Sequence, residues 1–235
     1  MSIPARGLLG QRFELGRDDA GYPASLLTIP EPPNRLYGIG NVGALQEGLS
    51  VVGARNATPY GLGCAGRFAG LAAARGVTVI SGGARGCDSA AHAAALAAGG
   101  LTLVVCGGGC DRVYPASNIK LFQDIIDRGG ALISEYPWGC HPEPFMFRLR
   151  NRIIAGMGKA TLIVEAGMPS GTFTTADEAL KAGREVWAVP GAITSEKSLG
   201  ANYLISQGAT PIFDESSFND ALLITFGILR GAQKG

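Results

Sequence analysis

Charge is scarce in this chain: Asp, Glu, Lys and Arg make up 17% of its 235 residues, and the formal net charge is +1. A near-neutral balance excludes bulk electrostatic capture of duplex DNA, so any nucleic acid has to be held at a local site. No run of about eighteen apolar residues occurs, which leaves no candidate for a membrane-spanning helix. Residues 1–20 carry charges of both signs where a secretory leader would have an apolar core, and the expected location is the cytoplasm. No CxxC pair occurs among the five cysteines, Cys64, Cys87, Cys106, Cys110 and Cys140. An odd set of thiols on a chain of this size suits a reducing compartment rather than a disulfide framework. Cys106, Cys110, Cys140 and His141 lack the tight spacing that structural zinc prefers, so no metal is expected, and no cofactor. No internal repeat is present either.

What the chain has is apolar content, 46% by residue, enough for a full core, and one domain is expected rather than two. From residue 49 onward, short β-branched runs (LSVVG, VTVIS, LTLVV, ALIS, ATLIVEA, EVWAVP) alternate with alanine-rich helical patterns. Each run is apolar nearly throughout, as strands buried on both faces of a parallel sheet are, and each connection is long enough for a crossover helix. The fold expected is α/β: a doubly wound, mostly parallel sheet. Helices are expected near Gly61–Arg75, Cys87–Ala98, Asn118–Asp127, Asn151–Met157, Thr172–Ala182 and Leu199–Gln207, with a last strand at Thr210–Phe213 and a last helix at Ser217–Leu229. Residues 1–45 show little periodicity, and Pro30, Pro32 and Pro33 forbid a helix there, so an extended arm packed on the core is expected. Residues 46–230 form the Rossmann-like domain on this reading, and 231–235 a flexible tail with no linker to a further domain.

Glycine is abundant, at 36 residues, and falls where strands end: Gly53, Gly82-Gly83, Gly107-Gly108-Gly109, Gly167 and Gly191. At that edge of an open α/β sheet, glycine lets backbone amides approach a phosphate, and the next helix N-terminus adds partial positive charge. Five such turns on one edge point to a groove for an anionic ligand. Gly61, Gly63 and Gly66 fit GxGxxG, but Gly61 lies eight residues beyond Gly53 instead of directly after a strand, and no acidic residue follows some twenty positions later. These glycines are expected to serve helix packing.

Phe145 to Arg152 place three arginines and two phenylalanines in eight residues. Guanidinium groups suit phosphate oxygens and aromatic faces suit unstacked bases, which together make a single-strand binding groove. The competing assignment is half a core strand with a solvated arginine face. Drawn extended, Phe145, Phe147 and Leu149 point one way and Met146, Arg148 and Arg150 the other, with a helix beginning near Asn151. Other candidates are weaker. Asp88 and His92 share a helix face near Ser81 and Ser89, but no GxSxG elbow is present and His92 reads as structural. Asp111 and Tyr114 could position a ligand, and Glu135 and Glu165 are expected to hold the arginine cluster.

Taken together, GARNATPYG (Gly53 to Gly61), SGGARGCDSAAH (Ser81 to His92), CGGGCDRVYPASN (Cys106 to Asn118), SEYPWGCHP (Ser134 to Pro142), RNRIIAG (Arg150 to Gly156), the stretch Val164 to Gly191, and SLGANYLISQGA (Ser198 to Ala209) resemble the DprA/Smf family of DNA-processing proteins, motif by motif and in order. The resemblance covers about residues 15–214. It implies an extended Rossmann-like domain that binds single-stranded DNA, forms a homodimer through the region of Asn202 to Ala209, and helps load a RecA-type recombinase during DNA uptake, with no covalent chemistry. DNA contacts would fall on Arg55, on the Ser81-Gly82 turn, on Phe147, Arg150, Asn151 and Arg152, and on the Ser170-Gly171-Thr172 turn. Arg148 stands where the family has proline and Ala54 where it commonly has serine. Many relatives carry a helical domain before the core and a winged-helix-like domain after it, and the chain is expected to hold neither. The alternative function is that of a nucleotide-binding protein or a nucleotide N-glycosidase of the phosphoribohydrolase type, with Glu178 as the residue to test. There the PGGxGTxxE motif is matched only loosely, since Phe173 and Asp177 replace its third glycine and glutamate.

Overall fold

The computed structural model describes residues 7–168 and 170–228. The apolar runs form strands β3 (Gly48–Val52), β4 (Thr78–Ser81), β5 (Thr102–Val105), β6 (Ala131–Ser134), β7 (Gly158–Ile163) and β8 (Glu185–Ala188), followed by a short β9 (Thr210–Pro211). These seven pair in parallel, and two N-terminal strands, β1 (Arg12–Gly16) and β2 (Arg35–Gly40), add an antiparallel edge next to β6. The order across the sheet is β1-β2-β6-β5-β4-β3-β7-β8-β9. The chain thus lays down β3 to β6 in one direction and returns to the other side of β3 for β7 to β9. The reversal leaves a crevice beyond the carboxyl ends of β3 and β7, the place where open α/β sheets bind ligands.

Because the central strands are covered on both faces, successive residues bury in opposite layers. Val51 and Leu162 pack with Phe68, Ala91 and Phe218 from α2 (Pro59–Ala74), α3 (Cys87–Ala97) and α8 (Glu215–Phe226). Their neighbours Val52 and Ile163 pack with Ile154, Ala176 and Leu204 from α5 (Pro144–Met157), α6 (Gly171–Lys181) and α7 (Leu199–Ser206). On the β5–β6 side, α4 (Ile119–Asp127) seats Phe122 and Ile125 against Val104 and Leu132. The GxGxxG stretch lies inside α2, not at a strand end. A Cβ on Gly61 would collide with the Glu165 carboxylate, whereas one on Gly66 would meet Ala94 Cβ at an ordinary 3.8 Å and one on Gly63 would meet nothing within 4 Å, so of the three only Gly61 is required by packing.

The N-terminal segment is more than an arm laid on the core. Besides β1, β2 and a one-turn helix α1 (Ala24–Leu27), it inserts Tyr22, whose hydroxyl donates to Pro33 O at 2.6 Å and is pushed up to about 12 by burial. The last helix starts two residues earlier than expected, at Glu215, where the Asp214 carboxylate caps Ser217 N at 2.7 Å. Leu229, the expected end of that helix, and the expected tail at 231–235 lie outside the described residues, as do residues 1–6 of the expected arm and Pro169.

His92 is structural. Thr102 Oγ1 donates to Val79 O at 2.7 Å, so it is the acceptor of its 2.6 Å contact with His92 Nδ1, which fixes the Nδ1–H tautomer. Nε2 is then an unprotonated nitrogen, buried with no hydrogen-bond partner among the described residues. Burial lowers the His92 pKa from 6.5 to about 3. Because the folded value lies below the unfolded one, protonation favours the unfolded chain, and the stability present above pH 6.5 is lost as pH falls toward 3. Urea midpoints between pH 6.5 and 5 should fall with a component of up to about 1.4 kcal/mol per pH unit, and His92→Gln should lack that component. An identical pH slope in both proteins would contradict the assignment.

Candidate nucleic-acid interface

A cavity of about 960 Å3 opens at the switch point. Its walls are the turn after β3 (Gly53, Ala54, Arg55), the turn between β7 and α6 (Gly167, Ser170, Gly171, Thr172), one face of α5, and Tyr114 from the loop after β5. The wall from α5 differs most from the sequence expectation. The stretch Phe145 to Arg150 is helical, not extended: Pro144 occupies the first turn, where its fixed φ and missing N–H suit a helix start, and Glu143 caps it. Met146, Arg150, Ile153, Ile154 and Met157 form the buried stripe, at spacings of a 3.6-residue period. Phe145, Arg148 and Leu149 are exposed. Pro144, Phe147, Arg148 and Asn151 share the next face around and line the cavity. Read with helical rather than strand periodicity, the sequence would have grouped Arg148 with Phe147 and Asn151.

The arginines divide into two kinds. Arg150 is 6% exposed, and its Nη1 donates to Gly82 O at 2.9 Å and to Val105 O, joining the carboxyl ends of β4 and β5. Burial holds its pKa below the ordinary arginine value, against the attraction of Asp88. Gly82 has to be glycine because a Cβ there would lie 2.5 Å from Arg150 Nη1. Arg152 is likewise engaged, paired with Glu135 at 2.5 Å and donating to Glu31 O and Leu149 O at 2.8 Å. Arg55 and Arg148 are exposed and form no hydrogen bond or ion pair among the described residues, and both line the cavity. The Arg55 guanidinium carbon lies 5.7 Å from the centre of the Phe147 ring, within cation–π range.

On the opposite wall, Ser170 caps α6 by accepting from Thr172 N at 3.1 Å. Nothing crowds Gly171, and the partial positive charge at the start of an eleven-residue helix borders the cavity. Asn151 Nδ2 reaches Gly171 O at 3.4 Å and ties this turn to α5. Asp88 lies at the floor, 5% exposed, accepting from Ala84 N at 3.2 Å, and burial raises its pKa while Arg150 opposes the shift.

The five glycine turns do not form one open groove. Gly82 is covered by Arg150, Gly83 by Phe122, Gly107 by Phe147, Gly108 by Pro142, and Gly191 by Ser198, so of the turn glycines Gly53, Gly167 and Gly171 border the cavity, and the turn after β4 contributes Ala84 instead. Ser81 does not face it: its buried hydroxyl donates to Val51 O at 2.6 Å. Of the two carboxylates expected to hold arginines, Glu135 pairs with Arg152, but Glu165 does not meet the cluster. It accepts from Thr58 N at 2.9 Å and Thr58 Oγ1 at 2.5 Å and so fixes the start of α2. The hydrolytic grouping is not assembled, since Ser81 and Ser89 donate to backbone carbonyls and His92 bonds Thr102. Among the described residues no group of three His, Cys, Asp or Glu is placed to hold a metal ion, and no helix is long and apolar enough to cross a membrane.

A family model described as DNA recombination-mediator protein A matches residues 14–222. Protein Smf of Escherichia coli is 42% identical over 193 residues, 82% of this chain and 52% of the relative. DNA processing protein DprA of Bacillus subtilis is 36% identical over 203 residues, 86% of this chain and 68% of the relative. The chain thus spans about half the length of some of the curated relatives it matches. Among solved structures, DNA processing protein A of Streptococcus pneumoniae superposes with a TM-score of 0.82 at 35% identity, covering 89% of this chain and 74% of that one. The Helicobacter pylori protein, whose single-stranded DNA binding mode has been described, also gives 0.82, at 28% identity, covering 92% of this chain and 97% of that one.

Proposed function

The chain belongs to the DNA recombination-mediator protein A family, and from that premise we propose that it binds single-stranded DNA in the crevice between β3 and β7. The observation that carries this reading is a cavity lined by two exposed arginines without hydrogen bond or ion pair among the described residues, Arg55 over the Phe147 ring and Arg148 beside it in sequence, together with the α6 N-terminus. Arg55 and Arg148 take phosphates, and the Ser170 and Gly171 amides at the start of α6 take another. Phe147 stacks an unstacked base, which a duplex does not offer without disruption. Asn151, Arg150, Arg152, Ser81 and Gly82 act chiefly by holding these groups in register. Recombination mediation, with a RecA-type recombinase receiving the bound strand, is part of the same proposal. So are a cytoplasmic setting, a DNA-binding domain running from about residue 46, and self-association through α7, where Tyr203 is exposed.

The proposed activity is binding without covalent chemistry. A nucleotide N-glycosidase is less well supported, because Glu178, its candidate residue, pairs with Lys181 at 2.7 Å, three residues along α6.

Fluorescence anisotropy with a labelled 20-mer of dT tests the proposal. Binding is expected to be tighter than to a duplex of the same length. Phe147→Leu should weaken it roughly 5- to 100-fold, the range of base–aromatic stacking. Adding a RecA-type recombinase to the complex should speed filament formation on the strand relative to recombinase alone. Equal weak binding to both forms of DNA, unchanged in Phe147→Leu, would contradict the reading.

A further inference from the structure

We infer that Tyr114 is a second base-stacking residue, which carries the strand out of the crevice across the ends of β4 and β5. This rests on the single-strand reading above and extends its site by one platform. Tyr114 stands on the loop after β5, is 54% exposed, lines the cavity, and its hydroxyl has no hydrogen-bond partner among the described residues. Its ring centre lies 5.2 Å from that of Phe147, inclined at 53°. Phe147 is in turn 5.7 Å from the Arg55 guanidinium. The three side chains therefore form one row from the turn after β3 to the loop after β5, interleaving a cation with two aromatic rings.

The geometry selects the ligand. Phe147 is half-buried and packs on Gly107, where a Cβ would lie 2.5 Å from the ring. Tyr114 presents the larger free surface. Rings inclined at 53° cannot both hold bases that remain parallel, as in a stacked strand with about 3.4 Å between nucleotides, so the two bases must be splayed. Beyond Tyr114 the same loop carries Arg112, exposed and held by Gly139 O at 3.1 Å, and the turn after β4 carries exposed Arg85. Both cations sit on loops at the carboxyl ends of β4 and β5, the strands this row crosses, where phosphates on either side of the second base need counter-charge.

The test uses Tyr114→Phe and Tyr114→Leu, the second chosen because it keeps an apolar contact with Phe147 while removing the π face. With the dT 20-mer, Tyr114→Phe should bind as the wild type does, and Tyr114→Leu should bind roughly 5- to 100-fold more weakly at an unchanged urea midpoint. Irradiation of an oligonucleotide carrying 5-bromodeoxyuridine should give an adduct at Tyr114, located by peptide mass spectrometry. Wild-type affinity in Tyr114→Leu, or an equal loss in both variants, would overturn the stacking role while leaving the crevice reading intact. Failure of the wild-type chain to bind the 20-mer would instead remove the reading on which the inference rests.

Discussion

Arg150→Ala is expected to lower the unfolding free energy by about 3–5 kcal/mol, the cost of stripping one partner from a buried charged network. Two carbonyls lose their donor and one buried carboxylate loses a nearby positive charge. Gly82 O and Val105 O lose the donors that join β4 to β5, and Asp88, 5% exposed, loses the guanidinium that offsets its desolvation. Arg150→Lys should recover little, because an ammonium on a flexible stem does not reproduce the planar fork that reaches both carbonyls. Gly82→Ala should resemble Arg150→Ala, since a Cβ at Gly82 stands 2.5 Å from Nη1 and pushes the same group out. Urea midpoints measure all three. If Arg150 served mainly as a phosphate contact, its alanine variant would keep the wild-type midpoint and lose only DNA affinity.

The converse behaviour is expected of Arg55→Ala combined with Arg148→Ala. Both side chains are exposed and neither forms a hydrogen bond or ion pair among the described residues, so the midpoint should stay within about 0.5 kcal/mol of wild type. What should change is the salt dependence of binding. Each phosphate contact on a single strand contributes a slope of about −0.7 to log K against log salt, so losing two should flatten the slope by about 1.4 and cost affinity mostly at low salt. Removing Arg148 alone should flatten it by about half as much. In this helix Arg148 places a solvent-facing cation on the cavity wall.

These two results separate functions that the amino-acid sequence presents as one cluster. Strands β3 to β8 were legible because burial on both faces makes them continuous apolar runs, and α2 and α3 because their alanines repeat over more than two turns; β1 and β2, in a stretch with little periodicity, were not. The β3 and β7 turns were legible for a similar reason, as glycines directly after such runs. The first two turns of α5, at 144–150, were not, because Arg150 interrupts the apolar stripe and the alternation from Phe145 to Arg150 mimics a strand. The division of labour among arginines is beyond any local pattern. Whether a guanidinium is free or committed depends on partners 68 and 45 residues away for Arg150, and 121 and 17 for Arg152. The closing of the Gly83 and Gly107 turns is likewise decided by Phe122 and Phe147, which sequence order does not place beside them.

Hydrogen–deuterium exchange of the chain with and without a dT 20-mer tests the location of the site most directly. Binding in the crevice predicts slower exchange in the turn at 53–56, in the first turns of α5 at 144–151, and at the N-terminus of α6 at 170–175, with α8 unchanged. Protection confined to other surfaces, with those three segments exchanging as in the free chain, would contradict the account.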